Sequence, residues 1–504
     1  MGDKSLVTVH LAREREDLTC AEGTNLYELL AQKDLVDGPC GGKGVCGKCR
    51  VVVDGVPTLA CTYVVLHDSE VITTPKEEIQ DIVSSGYHID VVPDPVPVGS
   101  YGVVVDIGTT TVVATLVDLV SGKELRSAST LNSQKAYGQD VITRIHYTID
   151  NPGGTATLAQ LIREDIMRLV GDVSRETCVP ITSIIRIVIC ANTTMIHLFA
   201  GVDASSLARA PFVPALHGAQ VGKATDYGLA LPAAELFCVP AVAAYVGGDI
   251  VSGIMACDLV HSNKRTLFID IGTNGEIVLS DRSQLVTCSC AAGPALEGMN
   301  ISCGMRASEG AIEDVDITDA GVSYKTIGNG APRGICGSGI VAAIGEGVRA
   351  GAIGKTGRLN KNHAAVELRE KRPVMVLDAA HDIVLTQGDV RQVQLAKGAI
   401  LSGVEALLHH QNLAADQIEE VIVAGQFGAH LKASNLVDAG FFPQAWREKI
   451  IYAGNTSQSG GLICLLSHDV RARSEHVGDS ATYLELSLLE GYDRLFVDAM
   501  SFER

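Results

Sequence analysis

The chain has 504 residues, of which 46% are hydrophobic and 20% charged, and this length predicts about three globular domains. The formal net charge of −19 argues against DNA or RNA as a partner, because phosphate backbones are bound by basic surfaces. Polar residues interrupt the two most apolar stretches, 184–202 and 231–260, so no membrane span is predicted. Fourteen cysteines without an apolar signal core at the amino terminus indicate a reducing, cytoplasmic compartment.

Short strands and one short helix are the first predicted elements. We predict Thr24 as the N-cap of the helix, because threonine directly precedes the apolar helical pattern. Together these elements predict a first domain over residues 1–78. The strands are predicted at 6–11, 17–20, 49–53 and 70–73, and the helix at 25–31.

Four cysteines in this first domain favour an iron–sulfur cluster: Cys40, Cys46, Cys49 and Cys61. Their spacing is C-x5-C-x2-C-x11-C, and four thiolates from one loop and one strand suit a [2Fe–2S] cluster. Glycines within the loop allow the backbone to wrap closely around a bulky anion. A zinc site usually has two C-x2-C pairs, a disulfide framework needs an oxidising compartment, and buried structural thiols rarely cluster in a glycine-rich loop.

Residues 79–100 differ in composition from what precedes them. Pro93, Pro95 and Pro97 stand close together, and Gly99 follows. Proline-rich segments are stiff and extended, so we predict a linker rather than a core element. An ordinary surface loop is the alternative.

An internal repeat follows the linker. Residues 103–111 recur as 267–275, an offset of 164 residues, and each copy is an apolar strand, an aspartate, a Gly-Thr turn and a second β-branched strand. A helix over 156–170 and a strand over 184–189 are predicted between the copies. Two copies of one unit indicate two similar subdomains that face each other, which we place at 101–262 and 263–504.

The two turns of the repeat are candidates for binding a triphosphate. Asp106 and Asp270 end apolar strands, where a carboxylate can hold Mg²⁺ through water. One such turn alone also fits a plain strand–turn–strand, but the pair favours a nucleotide between two subdomains. Residues of the two turns offer N–H or hydroxyl donors to phosphate oxygens, or allow the backbone to approach the phosphate closely. They are Gly108, Thr109, Thr110, Thr111, Gly272, Thr273, Asn274 and Gly275.

Three further carboxylate or hydroxyl positions have a functional and a structural interpretation. Asp249 follows two glycines and is a candidate for orienting the attacking water, or else a helix cap. Glu297 is a candidate neighbour of nucleotide or metal, or else a helix-start carboxylate. Ser289 lies between Cys288 and Cys290, where a hydroxyl could meet a partner's cobalt ion, or where the strand simply ends in core thiols.

Two glycine-rich segments are candidates for the adenosine end of a nucleotide. Gly425 and Gly428 follow an apolar strand and would let adenine or ribose lie against the backbone, or else form a tight turn. Gly337 and Ser338 precede a predicted helix whose amino-terminal end could receive phosphate or ribose. The pair His409 and His410, near a helix end, is interpreted as solvated or capping rather than metal-binding.

These segments resemble known families. The cysteine spacing resembles that of adrenodoxin-type ferredoxins, which implies an N-terminal β-grasp fold of the α+β class. The two turns and residues 421–428 resemble the phosphate and adenosine motifs of the acetate and sugar kinase, Hsp70 and actin (ASKHA) superfamily, which implies a duplicated, ribonuclease-H-like α/β fold with ATP and Mg²⁺ in its cleft. Gly293, Glu297, Gly337 and Ser338 are further candidates for contact with the nucleotide.

The order ferredoxin, linker, ATPase resembles the reductive activators of corrinoid-dependent proteins. Such a protein takes one electron from a low-potential donor and passes it to the cob(II)alamin of a corrinoid protein, giving the cob(I)alamin that a methyltransferase system needs. The resemblance also implies a homodimer. It extends over most of the chain, through residues 191–197, 245–250, 292–298, 334–339, 391–398 and 453–456.

Three other functions remain as alternatives. An activator of 2-hydroxyacyl-CoA dehydratases has a related ATPase but a [4Fe–4S] cluster between subunits and no fused ferredoxin. A small-molecule kinase with a redox domain would transfer phosphate to an acid or sugar. An electron carrier with a vestigial nucleotide fold is a third, which the paired Asp-x-Gly-Thr turns disfavour.

Overall fold

The computed structural model describes residues 6–33, 35–36, 49–73, 87–282, 284–318, 321–425 and 432–502. Within these ranges the chain forms a small amino-terminal unit, an extended segment, and a larger α/β region built on two six-stranded sheets.

The amino-terminal unit is a five-stranded mixed sheet with a helix packed on one face. The sheet order is β2-β1-β7-β4-β5, and β1 and β7 run parallel. Buried Val9, Val51 and Val71 alternate with exposed residues along their strands and pack with Leu26 and Leu30 of the helix. The elements are β1 (Leu6–Leu11), β2 (Glu16–Ala21), β3 (Thr24–Asn25), α1 (Leu26–Gln32), β4 (Arg50–Val53), β5 (Val56–Leu59), β6 (Val64–Val65) and β7 (Ser69–Thr73).

The predicted strands of this unit are confirmed to within a residue or so, but the predicted helix cap is wrong. Asn25, not Thr24, caps α1, because the Asn25 side chain accepts a hydrogen bond from the Tyr27 amide at 2.9 Å. The Thr24 hydroxyl instead donates to the Ala21 carbonyl at 2.6 Å. Threonine and asparagine are both good N-caps, so local sequence could not choose between neighbours.

The first half of the larger region is a sheet in the order β10-β9-β8-β11-β13-β12. Strands β8, β11 and β13 run parallel, and β8 and β9 form an antiparallel hairpin. The elements are β8 (Tyr101–Ile107), β9 (Thr111–Asp118), β10 (Glu124–Leu131), α2 (Val141–Asp150), α3 (Gly154–Thr177), β11 (Ile184–Ala191), α4 (Thr193–Ala200), β12 (Gln220–Lys223), β13 (Glu235–Cys238) and α5 (Gly248–Ala256).

The second half is a sheet in the order β24-β23-β14-β15-β16-β25, with two three-stranded sheets beside it. The elements are β14 (Arg265–Ile271), β15 (Gly275–Asp281), β16 (Gln284–Cys290), β17 (Ala311–Thr318), β18 (Gly321–Thr326), β19 (Gly334–Ile335), α6 (Gly337–Arg349), β20 (Val366–Arg369), β21 (Arg372–Asp378), β22 (Ile383–Thr386), α7 (Gln387–His410), β23 (Glu420–Ala424), α8 (Ala433–Asp438), β24 (Ile450–Gly454), α9 (Thr456–Leu466), α10 (His468–Ser480), β25 (Thr482–Tyr483) and α11 (Tyr492–Ala499).

The two large sheets share one topology, so the predicted duplication is confirmed. The order β10-β9-β8-β11-β13 corresponds to β16-β15-β14-β23-β24, with the same parallel and antiparallel neighbours. The copies differ at the turn. Ile107 pairs with Val112 in the first hairpin, whereas Ile271 pairs with Gly275 in the second, so the second turn is one residue shorter.

Helices α5 and α9 lie between the two sheets. Their apolar residues share one core with residues from β8 and β14, whereas α3 and α4 cover the outer face of the first sheet and α6 and α7 that of the second. Glycines allow the close contact: a Cβ at Gly460 of α9 would lie 2.0 Å from the Ser252 carbonyl oxygen of α5. Both helices begin at the edge where β8 and β14 end, so their amino-terminal ends border the candidate site.

Residues 87–97, which we call the strap, cross the opposite ends of these helices. Ile89, Val91 and Val96 pack against the central core. The segment is extended, as the sequence predicts, but it is part of the core rather than separate from it. Three amide N–H groups of the strap donate to carbonyls at the ends of α5, α9 and β24, in the pairs Ile89–Ala256 (3.2 Å), Asp94–Leu466 (2.8 Å) and Tyr87–Ala453 (2.7 Å).

Candidate functional site

Asp106 lies near the end of β8, beside the amino-terminal end of α9. Its Oδ1 accepts a hydrogen bond from the Ser457 hydroxyl at 2.8 Å, and its Oδ2 accepts one from Asn455 Nδ2 at 3.1 Å. Asn455 also caps α9, because its Oδ1 accepts a bond from the Gln458 amide. Burial raises the pKa of Asp106, and the two hydrogen bonds oppose this effect. These contacts join the two halves of the chain at the site.

The turn between β8 and β9 is held in place by hydrogen bonds to its carbonyl oxygens. Asn132 donates through Nδ2 to the Gly108 carbonyl and through its amide to the Thr110 carbonyl, both at 2.9 Å. The Arg144 guanidinium donates to the Thr109 carbonyl. Across the described ranges, no protein group accepts a hydrogen bond from the Thr109 or Thr110 amide. These two N–H groups therefore remain available to an anion such as phosphate.

Two glycines allow close approach around this first turn. A Cβ at Gly108 would lie 2.8 Å from the Thr111 carbonyl oxygen, to which the Gly108 amide donates at 2.9 Å. A Cβ at Gly247 would lie 2.4 Å from the Asn192 α-carbon. Asn192 Nδ2 in turn donates to the Thr109 hydroxyl at 3.2 Å. The start of α5 is thus connected to the first turn through Asn192.

The second turn brings together residues that the sequence analysis singled out separately. The Gly272 amide donates to the Asn274 carbonyl at 2.9 Å, and the Gly293 amide donates to the Thr273 carbonyl at 2.8 Å. The Thr273 hydroxyl donates to Glu297 Oε1 at 2.6 Å. Burial raises the pKa of Glu297, and this hydrogen bond opposes the rise. Glu297 ends a 3₁₀ turn and is held at the site, so it is not simply a helix-start carboxylate.

Gly275 and Gly425 are positions where the backbone packs too closely for a side chain. A Cβ would lie 2.8 Å from Cys290 Sγ at Gly275 and 2.8 Å from Asp270 Oδ1 at Gly425. Gly425 also has a φ of +98°, which other residues rarely adopt. The structure thus places Gly425 directly against Asp270. Gly428 lies outside the described residues.

Four carboxylates converge on the space between the turns: Asp106, Asp249, Asp270 and Glu276. Burial raises the pKa of Asp249 to about 7, with the charge of Asp270 as the next cause. Burial and then Asp106 raise the pKa of Asp270 to about 7. Burial also raises the pKa of Glu276, to which Asp249 and Asp270 add. Because each carboxylate makes its neighbours harder to ionise, the site favours a bound cation.

A cation between these carboxylates would need more ligands than they supply. In the described part of the chain, no three His, Cys, Asp or Glu side chains stand close enough to bind a metal ion by themselves. A cation here would keep water or ligand oxygens in its coordination shell, as Mg²⁺ does. Asp249 is not the cap of α5, which is Gly247, and its Oδ1 accepts a hydrogen bond from the adjacent Ile250 amide at 2.9 Å.

Gly337 and Ser338 form the first turn of α6, in the same half as the second turn of the repeat. Ser338 is buried, and its hydroxyl lies 3.3 Å from Cys336 Sγ. Helix α6 packs against the 3₁₀ turn that ends at Glu297. The backbone at the start of α6 is therefore close to the site, whereas the Ser338 hydroxyl contacts the Cys336 thiol.

Two of the four predicted cluster ligands lie in the described residues and are close together. Cys49 precedes β4 and Cys61 follows β5, and the hairpin brings their buried Sγ atoms to 3.2 Å. Two thiolates that bind one tetrahedral metal ion, each with a metal–sulfur distance of about 2.3 Å, have their sulfurs roughly 3.8 Å apart. The Cys49 and Cys61 sulfurs would therefore need to separate only slightly to bind the same metal ion. Cys40 and Cys46 lie outside the described residues.

The cysteines around Ser289 are core thiols. Cys288 Sγ donates to the Gly403 carbonyl at 3.8 Å and Cys290 Sγ to the Gly275 carbonyl at 3.2 Å, and burial raises the pKa of both. The Ser289 hydroxyl points elsewhere and donates to Glu276 Oε1 at 3.4 Å. The histidines at the end of α7 are exposed, as predicted.

Sequence reasoning missed several residues of the site. Glu276 directly follows the second turn, and its position opposite Asp270 in the hairpin was a usable signal. Asn455 stands between a strand and a helix, where asparagine is a common cap. Arg144 and Asn132 offered no local signal, because an arginine on a helix and an asparagine after a strand are usually exposed.

Comparisons with known proteins agree with this architecture. Residues 264–504 match the family model described as the C-terminal, ASKHA domain of RACo, and residues 101–262 match the model of the RACo middle region. The chain is 34% identical over 430 residues to the corrinoid activation enzyme RamQ of Eubacterium limosum, covering 82% of this chain and 72% of RamQ. The chain belongs to the family of reductive activators of corrinoid proteins.

Two further members of this family align with much of the chain. The Co(II) methylated amine-specific corrinoid protein reductase of Methanosarcina barkeri is 26% identical over 391 residues, covering 71% of this chain and 68% of that protein. A solved structure of a reductive activator for a corrinoid, iron–sulfur protein is 31% identical, with a TM-score of 0.73 and 98% of each chain covered. In the described ranges, no helix is both long and apolar enough to cross a membrane.

Proposed function

We propose that this corrinoid activator uses ATP to drive one electron from a [2Fe–2S] cluster to the cobalt of a corrinoid protein. The electron converts cob(II)alamin to cob(I)alamin, which can then accept a methyl group. The observation that carries the proposal is the convergence of four carboxylates and two phosphate-type turns, contributed by both halves of the chain.

In this proposal the nucleotide lies between the two turns. The Thr109 and Thr110 amides donate to phosphate oxygens from one side, and the turn at 272–275 does so from the other. Asp106 and Asp270 would hold Mg²⁺, which would supply positive charge to offset the phosphates. Asp249 orients the attacking water, and its pKa of about 7 suits a group that accepts a proton at neutral pH.

The adenosine end is assigned to glycines of the second half. The backbone at Gly425, which has no room for a Cβ, lies beside Asp270, and Gly428 follows it in the chain. The start of α6, at Gly337 and Ser338, contributes backbone rather than side-chain contacts.

The amino-terminal unit is proposed to hold the cluster on Cys40, Cys46, Cys49 and Cys61. The cluster supplies one-electron redox chemistry when bound. The 3.2 Å separation between the Cys49 and Cys61 sulfurs supports these two as ligands of one iron. We assign residues 1–78 to a β-grasp ferredoxin domain, 79–100 to the linker, and 101–262 and 263–504 to the two halves of the ATPase.

ATP is needed because the electron moves energetically uphill. A plant-type cluster has a potential near −400 mV, and each further 59 mV of opposing potential lowers a one-electron equilibrium constant about tenfold. Closure of the two halves around ATP shifts the helices between them and thereby the attached partner. The partners in this scheme are a corrinoid protein of a methyltransferase system, a low-potential electron donor and a second copy of the chain.

One assay tests the function. Chemically reduced protein is mixed with a cob(II)alamin-loaded corrinoid protein, with and without MgATP, and the cob(I)alamin absorption is followed. We expect reduction that depends on ATP, is absent with a non-hydrolysable analogue, and is lost in Asp270→Ala although the cluster spectrum remains. Equal reduction without ATP by the wild-type protein would refute the proposal. Formation of a phosphorylated small acid or sugar would instead indicate a kinase.

A further inference from the structure

Arg144 of α2 is a fully buried cation directly behind the first turn. None of its side chain is exposed. Its Nε donates to the Gly138 carbonyl at 2.9 Å, and Nη2 donates to the Thr109 carbonyl. Its Nη1 contacts Gln134 Oε1 and Met195 Sδ, each at 3.2 Å. None of these four partners carries a charge.

A buried guanidinium without a carboxylate partner is costly, because the surrounding protein solvates its charge poorly. Burial lowers the pKa of Arg144 to about 9, and the charge of Asp140 acts in the opposite direction. The group is still protonated at neutral pH. The Asp140 carboxylate is engaged as the cap of α2, accepting from the Thr143 amide at 2.8 Å. The positive charge is therefore left to act on groups around the turn.

The position of Arg144 decides which way the turn presents its donors. The Thr109 carbonyl and the Thr110 N–H belong to one peptide group, and in a trans peptide they point in opposite directions. Because Arg144 holds the carbonyl on the inner side, the Thr110 N–H points outward. Asn132 acts in the same way on the Gly108 carbonyl, which directs the Thr109 N–H outward.

We propose that Arg144 is a positioning residue for the phosphate chain of the nucleotide, acting through the Thr109–Thr110 peptide. The proposal rests on the proposed function, in which phosphates meet this turn. A cation bonded to the carbonyl polarises the peptide, so the N–H on its far side becomes a stronger donor.

The test compares ATP and adenosine binding in matched variants. Arg144→Met keeps the length of the side chain and removes its charge, Arg144→Gln keeps a donor without charge, and Arg144→Lys keeps the charge. Arg163→Met is the control, because Arg163 also donates to a backbone carbonyl, that of Phe199, at 3.0 Å and lies in the same half away from the turn. Dissociation constants for MgATP and adenosine are measured by calorimetry or competition, well below each variant's melting temperature.

We expect Arg144→Met and Arg144→Gln to weaken MgATP binding by about 10- to 100-fold, the range for loss of a charged hydrogen bond, with adenosine binding unchanged. Arg144→Lys should recover most of the affinity, and Arg163→Met should bind as the wild type does. Equal losses for ATP and adenosine, or no loss in either neutral variant, would overturn the inference. If Arg144→Met does not fold, Arg144→Gln against Arg144→Lys decides. Failure of the wild-type protein to bind ATP would instead refute the proposed function.

Discussion

Half-buried carboxylates dominate the site at the scale of single residues. Asp249 and Asp270 each have a pKa of about 7, mainly because burial disfavours their charged forms. Such groups destabilise the nucleotide-free protein, and a bound cation that neutralises them would recover the lost free energy. Stability and function should therefore respond in opposite directions when one of them is made neutral.

Asp270→Asn should make the nucleotide-free protein more stable at high pH. The folded-state pKa of about 7 lies above the ordinary value of 3.8, so the folded protein holds the extra proton and loses stability as pH rises through this window. We expect a gain of about 1–2 kcal/mol at pH 8, below the roughly 4 kcal/mol of the full shift, because solvent in the cleft screens the charge. Thermal unfolding at pH 5 and pH 8 measures it.

The control for this variant is Asp479→Asn, which removes an exposed carboxylate of α10. Its stability should follow the wild-type dependence on pH. A wild-type pH slope in Asp270→Asn would show that the Asp270 carboxylate is not held in an unfavourable environment.

Cys46→Ala tests the cluster at the same scale. Loss of one of four thiolate ligands should abolish the visible absorption of the cluster and electron transfer, while MgATP binding stays within about twofold of wild type. Cys178→Ala, at the exposed end of α3, is the matched control and should keep the full spectrum. An intact spectrum in Cys46→Ala would remove Cys46 from the ligand set.

At the scale of elements, the contact between α5 and α9 determines how the two halves meet. Both helices border the site with their amino-terminal ends, and they pack through small residues such as Gly253, Ser252 and Gly460. Packing this close is sensitive to single atoms, because a well-packed interior has no room for an added methyl group.

Gly460→Ala should therefore disturb both folding and coupling. The added Cβ would lie 2.0 Å from the Ser252 carbonyl oxygen, so α9 must move away from α5. We expect a loss of about 1–3 kcal/mol in stability and at least a tenfold slower ATP-driven reduction. Denaturant unfolding and the cob(I)alamin assay measure the two effects.

Gly171→Ala in α3 is the matched control, because a Cβ there meets nothing within 4 Å. It should stabilise the protein by about 0.5–1 kcal/mol, the usual gain of alanine over glycine in a helix, and leave the reduction rate unchanged. Equal behaviour of the two variants would show that the α5–α9 contact is not tight.

At the scale of the whole molecule, the strap follows the amino-terminal unit in the chain and packs on the central helices. Asp94 is its main anchor, since its carboxylate accepts from the His468 amide at 3.0 Å and lies 3.4 Å from Arg471 and 3.6 Å from Arg186. The strap binds the ends of α5 and α9 that lie opposite the site. Movement of these helices on nucleotide binding would therefore move the strap through these contacts.

Asp94→Ala should weaken this connection without touching either of the two proposed cofactor sites. The cluster spectrum and MgATP affinity should remain as in wild type, whereas ATP-driven reduction should fall about five- to tenfold. Hydrogen exchange at the Ile89 amide should become faster, because its bond to α5 is loosened. Asp90→Ala is the control, since Asp90 is an exposed carboxylate in the same strap. Unchanged reduction in Asp94→Ala would mean that the strap is only a passive connection.

The sequence by itself determined the features that depend on short stretches of chain. Two Asp-x-Gly-Thr turns 164 residues apart predicted a duplicated sheet, and apolar segments placed the strands of the first unit and of the two repeat hairpins, whereas the cluster indicated by the cysteine spacing stays a prediction. These features follow from local geometry, because a strand, a tight turn or a glycine-rich loop imposes its residue types on neighbours in the chain.

Only the tertiary structure decided which distant residues complete the site. Asn455 reaches Asp106 across 349 residues of sequence, Arg144 takes the space behind Thr109, and the strap packs on the central core instead of standing apart. Such contacts arise where two sheets and the helices between them pack together. No local pattern encodes them, because the same asparagine, arginine or proline-rich segment would be exposed in another packing.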